Sequence, residues 1–273
     1  IDGSPLFNQS SQKLIFGEDS QAAKDGRIVT VQSLSGTGSL RVGFEFLHEW
    51  IPSKVLVSNP TWANHHNVIK RSGLQFTEYP YYDPKTNKAL IGKFIDTLSQ
   101  AQPGNIVLLH VCAHNPTGVD PTRDEWKKIA EVMKQKKLFP YFDSAYQGFA
   151  SGDLIRDAFP VRYFTEQGFD MLVSQSYAKN MGLYGERIGA LHIVTADKDT
   201  AAKVLSQVKM VIRPNYSSPP LHGARIAERV LSNKENLEAW KAELKAVAER
   251  IISMRTALRN KLEELKAPGI PSC

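Results

Sequence analysis

Short apolar runs alternate along the chain with stretches in which apolar residues recur every three or four positions. The runs Lys54–Ser58, Leu74–Tyr79, Asn105–Val111, Leu138–Asp143, Met171–Ser176 and Ile188–Val194 predict strands. The intervening stretches Leu40–Trp50, Asn64–Ser72, Lys93–Gln100, Thr122–Gln135, Asp197–Val211 and Leu221–Leu231 predict helices. Strand alternating with helix predicts an α/β fold, a mostly parallel sheet with helices on both faces. Several strands are apolar nearly throughout, as a sheet covered on both sides requires.

The pattern changes after about Asn233. From Leu237 to Leu265 apolar residues recur at helical spacing with charges between them, predicting one long helix. The expected division is a large domain over 1–236, a helix over 237–266 connecting toward a further domain, and a tail over 267–273.

Composition narrows the class. The 273 residues are 42% hydrophobic and 23% charged, within the range of ordinary globular domains. The net charge of +6 comes from Lys and Arg spread along helices, so a solvated basic surface is expected, with no nucleic-acid partner. No apolar run approaches the ~20 residues a membrane span needs, and no membrane partner is expected. The opening Ile1-Asp2-Gly3-Ser4-Pro5 lacks the charged and apolar regions of a signal peptide, and the chain is expected to begin after the start of translation. Cys112 and Cys273 form neither a disulfide framework nor a CxxC pair, which favours a reducing, cytoplasmic compartment, mitochondria remaining open.

Two passages carry candidate chemistry. Ser35-Gly36-Thr37-Gly38 precedes a helical stretch, and small residues with free amides at a helix start attract anions. Its spacing matches neither GxGxxG nor GxxxxGK[ST], and taken alone it is better explained by a plain helix cap. The second passage runs from Ser174-Gln175-Ser176 through Tyr177-Ala178-Lys179 to Arg187-Ile188-Gly189. Here an apolar strand ends in a serine, one lysine follows in a loop, and glycines lead to an arginine. A lysine beside other cations and partly desolvated loses its proton more readily and becomes a nucleophile able to capture an aldehyde as a Schiff base. Ser176 and Arg187 would supply a hydroxyl and a planar cation for a phosphate. A lone loop lysine is ordinarily a solvated charge; this setting is what singles out Lys179.

With four further motifs in order, the chain resembles the aspartate aminotransferases, a fold-type I pyridoxal-phosphate family. Those motifs are Pro60-Thr61-Trp62-Ala63-Asn64-His65, His114-Asn115-Pro116-Thr117-Gly118, Phe142-Asp143-Ser144-Ala145-Tyr146-Gln147-Gly148-Phe149 and Ile212-Arg213-Pro214-Asn215-Tyr216. The resemblance covers about residues 1–266 and implies the large domain of that fold with pyridoxal 5'-phosphate as cofactor. It implies that Lys179 is the catalytic lysine and Asp143 the partner of the pyridine nitrogen, keeping the ring an electron sink. Asn115 and Tyr146 resemble the donors to the phenolic oxygen, and Trp62 the indole stacked on the ring; Trp62 and Asn115 also border the substrate. Ser35, Gly36, Thr37, Ser176 and Arg187 match the phosphate cradle. His65 is similar to a histidine that hydrogen-bonds the pyridine-pairing aspartate, and no metal is implied.

Arg213 matches an arginine that reaches a neighbouring subunit's site and pairs with a distal carboxylate. The resemblance therefore implies a homodimer with shared sites, acting on small amino acids and 2-oxo acids: L-aspartate and 2-oxoglutarate giving oxaloacetate and L-glutamate. Ala63 stands where a glycine is familiar, and Ser218 where asparagine is frequent. The family's N-terminal arm and C-terminal small domain, with its α-carboxylate arginine, find no match, so a non-catalytic fragment or isoform is a second reading. An aromatic or kynurenine-type transaminase is a third.

Overall fold

A computed structural model of the chain describes residues 1–267; of the expected tail, all but Ala267 lies outside the described residues. The chain begins with α1 (Pro5–Phe16), α2 (Gln21–Lys24), β1 (Ile28–Leu34) and α3 (Ser35–Trp50). There follow β2 (Val55–Asn59), α4 (Asn64–Arg71), β3 (Phe76–Pro80), the small hairpin β4 (Tyr82–Asp83) and β5 (Lys88–Ala89), α5 (Ile91–Gln100), β6 (Ile106–His110) and α6 (Arg123–Gln135). The remainder is β7 (Phe139–Ser144), α7 (Leu154–Asp157), α8 (Phe159–Glu166), β8 (Met171–Ser176), β9 (Ile188–Val194), α9 (Lys198–Asn215), α10 (His222–Ser232) and α11 (Lys234–Glu264).

Seven strands form one sheet in the order β1-β9-β8-β7-β6-β2-β3. Pairings from β8 through β3 are parallel, and β9 runs antiparallel to both β8 and β1. Alternate residues of each strand point to opposite faces, and two separate cores result. On one face Val107, Leu109, Phe142, Met171 and Val173 pack with α5, α6 and α8. On the other Val55, Val57, Leu108, Tyr141 and Leu172 pack with α3, α4 and α9. The parallel sheet with helices on both faces is thus observed. All six expected strands are present, with ends displaced by a residue or two.

Three helix boundaries differ from expectation for physical reasons. Helix α3 begins at Ser35, so Ser35-Gly36-Thr37-Gly38 is its first turn rather than a loop before it. Helix α9 continues through Pro214 to Asn215 and closes with Tyr216 N–H on the Ile212 carbonyl; proline in a last turn sacrifices few ladder bonds. Helix α11 starts at Lys234, capped by the Asn233 side chain accepting from Asn236 N–H. Its first turns pack against a third core made by α1, α10 and Tyr177, through Leu237 and Trp240. β1, α1 and α8 had no counterpart in the pattern.

Candidate active site

The carboxyl ends of β2, β6, β7 and β8 lie along one edge of the sheet. Register pairs His110 with Asp143, Asp143 with Ser174, and Ser176 with Gly189. The segments leaving this edge carry Trp62 after β2, Asn115 after β6, Tyr146 after β7 and Lys179 after β8. Arg187 immediately precedes β9 and Ser35 follows β1, bringing both to the same edge through the β1–β9 pairing. Ligands of open α/β sheets bind beyond such strand ends.

Asp143 is buried at the end of β7, and its Oδ2 accepts from His65 Nε2 at 2.9 Å. Behind His65 runs a chain of hydrogen bonds with only one consistent direction. The Asn115 amide can only donate, here to His110 Nδ1 at 3.4 Å. His110 therefore carries its proton on Nε2, 3.1 Å from Thr61 Oγ1. The Thr61 hydroxyl in turn donates to His65 Nδ1 at 2.8 Å, leaving the His65 proton on Nε2, facing Asp143. Burial holds the His110 imidazole well below its ordinary range, with His114 and His65 adding to the effect, so this ring stays neutral. The other Asp143 oxygen, Oδ1, takes no hydrogen bond from the described residues.

Lys179 is half-buried, and its Nζ lies 5.0 Å from the centroid of the Tyr146 ring. Among the described residues no hydrogen-bond or ion-pair partner meets that amine. The Tyr146 hydroxyl, the Asn115 side-chain amide and the Thr37 hydroxyl are likewise without a hydrogen-bond partner among the described residues. Burial raises the Tyr146 phenol above its usual value, with Tyr184 and Asp143 adding to it, so the hydroxyl keeps its proton at neutral pH. Trp62 stands half-buried, edge-on to His65 with centroids 5.2 Å apart.

At the β1–β9–β8 side of this edge stand Ser35 and Ser176, whose hydroxyl oxygens are 3.0 Å apart. Ser35 has a positive φ of 61°, and its N–H donates to the Arg187 carbonyl at 3.1 Å. The amides of Gly36, Thr37 and Gly38 are left at the helix start, where the dipole favours negative charge. Gly189 permits this approach of β1 to β8: a Cβ there would come 2.4 Å from the Gln175 carbonyl oxygen and 2.6 Å from the Ser35 carbonyl carbon. The exposed Arg187 guanidinium donates to the Tyr184 carbonyl at 3.1 Å. Below, Tyr141 OH lies 3.0 Å from Ser174 Oγ and 3.2 Å from the Ser39 carbonyl, fastening α3 to the sheet.

The structure thus gathers Ser35, Gly36, Thr37, Trp62, His65, Asn115, Asp143, Tyr146, Ser176, Lys179 and Arg187 at one edge. Arg213 stands apart, exposed in the last turn of α9, its guanidinium donating to Ser217 Oγ at 2.6 Å. Thr61 and His110 had no assigned role in the sequence reading. Thr61 stood inside a quoted motif, but only strand register reveals His110 beside Asp143. Among the described residues no cluster of three or more His, Cys, Asp or Glu is placed to hold a metal ion. No helix there is long and apolar enough to cross a membrane.

The family model described as aminotransferase class I and II matches residues 1–273. The chain belongs to this family. This aminotransferase chain is 54% identical over 98% of its length to aspartate aminotransferase 3, chloroplastic, of Arabidopsis thaliana, covering 60% of that protein. It is 52% identical over 98% of its length to the cytoplasmic aspartate aminotransferase of Oryza sativa subsp. japonica, covering 66% of it. The chain therefore spans less than two thirds of the length of these curated relatives. Among solved structures, an aromatic-amino-acid aminotransferase from Burkholderia pseudomallei, covalently bound to pyridoxal phosphate, superimposes with a TM-score of 0.95 at 44% identity. That match covers 100% of this aminotransferase chain and 68% of the other.

Proposed function

We infer that the chain carries the cofactor-binding core of a pyridoxal 5'-phosphate aminotransferase that exchanges the amino group between L-aspartate and 2-oxoglutarate, giving oxaloacetate and L-glutamate. The observation that carries this reading is the pair formed by an unpartnered Lys179 amine over Tyr146 and a buried Asp143 with one oxygen free. The donor set fits the cofactor. Ser35, Thr37 and Ser176 hydroxyls, the first amides of α3 and the Arg187 cation suit a phosphate. Asp143 suits a protonated pyridine nitrogen, and Asn115 and Tyr146, both donors, suit a phenolate oxygen. Trp62 suits a ring face.

When bound, pyridoxal phosphate supplies an aromatic electron sink for negative charge at a substrate's Cα. Asp143, oriented through His65, Thr61 and His110, would hold a proton at the pyridine nitrogen. Lys179 Nζ takes up and returns the substrate's Cα proton. The buried position of Asp143 and the half-buried one of Lys179 exclude much of the water that would compete for that proton. Arg213 is read as the cation for a distal carboxylate, offered to the partner's site in a homodimer with shared sites. A guanidinium left unpaired by an apolar substrate discriminates against it. Buried, unbridged Cys112 suits a reducing compartment, and the cytoplasm is the proposed location.

The test is amino transfer from L-aspartate to 2-oxoglutarate by the chain supplied with pyridoxal phosphate. Oxaloacetate should form and should cease with Lys179→Ala; undiminished turnover in that variant would contradict the reading. A neighbour's title names aromatic amino acids, so the donor class is tested separately. Arg213→Leu should lower aspartate turnover about 100-fold relative to an aromatic donor; an unchanged ratio favours the aromatic reading.

A further inference from the structure

Helix α11 touches both loops that carry the proposed reactive groups. Its buried and half-buried residues Leu237, Trp240, Leu244 and Ala248 recur every three or four positions and share one face. Trp240 Nε1–H donates to the Asn180 main-chain carbonyl at 2.8 Å. Asn180, buried and next to Lys179, donates from Nδ2 to the Gln147 carbonyl at 3.2 Å. Gln147 directly follows Tyr146. One turn along α11, Leu244 fills the space beneath Gly148, where a Cβ would come 2.3 Å from Leu244 Cδ2 and φ is +96°.

We propose that Trp240 and Asn180 are positioning residues that hold Lys179 over Tyr146, the indole by fixing the carbonyl of Asn180, the residue after Lys179, and the amide by tying the two loops together. The inference rests on Lys179 being the cofactor lysine. Among the described residues its amine has no hydrogen-bond or ion-pair partner, so the end of its four-carbon stem is aimed by its backbone and by the Tyr146 ring it lies over. Before Lys179 the Ala178 amide donates to Ser176 Oγ, and after it Trp240 fixes the backbone while Asn180 ties it to the neighbour loop. Asn180 Oδ1 is buried without a partner. An unpaired buried acceptor is destabilising, so a stability role alone does not account for an asparagine here; its N–H bond to the Tyr146 loop does.

Trp240→Phe removes the N–H and keeps a ring packed beside Tyr177, Met181 and Leu183. Two quantities separate positioning from general loosening. One is the rate at which borohydride-fixed label accumulates on Lys179 in the presence of pyridoxal phosphate. The other is the affinity for inorganic phosphate alone, which reads the Ser35–Ser176 cradle. Trp240→Phe should slow labelling about tenfold while phosphate affinity stays within about twofold, because misplacing a reacting atom costs rate rather than binding. Asn180→Ala should show the same split and stands in if Trp240→Phe fails to fold. Unchanged labelling in the variants, or labelling and phosphate affinity falling together, would overturn the proposal. Absence of label on Lys179 in the parent chain would instead overturn the functional reading and this inference together.

Discussion

Two buried carboxylates near one end of the sheet have opposite surroundings. Asp157, in α7, accepts Gly148 N–H at 2.8 Å, Ala150 N–H at 3.1 Å and the Ser151 hydroxyl at 2.6 Å. Both its oxygens are engaged by one short loop. Asp143, at the end of β7, accepts a single bond from His65 and keeps an oxygen free. Completing a carboxylate's hydrogen bonds fastens a loop; leaving one incomplete reserves the charge for something outside the chain. His192, with ring nitrogens 2.9 Å from Thr30 Oγ1 and 3.0 Å from Gln175 Oε1, belongs with Asp157. Lys179, Tyr146 and Asn115 belong with Asp143. Polar capacity filled internally serves the fold, and on the proposed function the capacity left open at the strand ends is what meets the cofactor.

Substitutions on the two sides should therefore fail differently. The largest effect is expected from Asp143→Ala: turnover falls by about 10² to 10⁴, the range for a lost acid–base partner, with a denaturation midpoint close to the parent's. A stability loss without that activity loss would erase the distinction. Asp157→Ala should do the reverse. It strands two amides and a hydroxyl and costs about 1–3 kcal/mol of stability, read by urea unfolding, while the turnover of the remaining folded protein changes little.

His192 sharpens the contrast through pH. Burial depresses its imidazole to about 3 from the ordinary 6.5, so the folded state holds the neutral ring and the unfolded chain binds the proton more readily. Its contribution to stability is complete above the unfolded value and is lost as pH falls from there toward 3. Across that window each such histidine steepens the decline by about 1.4 kcal/mol per pH unit. His192→Gln should flatten unfolding free energy against pH by one proton's slope; an unaltered slope would show that the ring titrates normally. The smallest effect is expected from Thr61→Val, which cuts the relay behind His65 but leaves the His65–Asp143 bond. Turnover should fall by about three- to tenfold, the worth of a hydrogen bond of roughly 1 kcal/mol, with KM unchanged.

The same contrast explains what could be read in the sequence. Strands β2, β3 and β6 to β9 announce themselves by apolar runs because both faces of the sheet are covered. β1 does not, since its Gln32 and Ser33 are buried polar residues. Gln32 is satisfied only by tertiary partners, the Ser4 amide at 3.3 Å and the Pro220 carbonyl at 2.7 Å. Helix α1 buries Ser10 and Ser11 among its apolar positions and hides for the same reason. Lys179 stood out because its setting between a strand-end serine and an arginine is unusual, and Asp143 came in with the family resemblance. Thr61 and His110 did not stand out, as their roles arise from strand register and from which ring nitrogen the Asn115 amide occupies. Trp240, in a helix read as a connector, touches the Lys179 loop only once the chain has folded.

The account stands on Lys179 being the amine that meets an aldehyde opposite Asp143. The direct measurement is to incubate the chain with pyridoxal phosphate, reduce with borohydride, digest, and locate the modified lysine by mass spectrometry. Label confined to Lys179, and absent after Lys179→Ala, is the predicted result. Label on another lysine, or none in the parent chain, would contradict it.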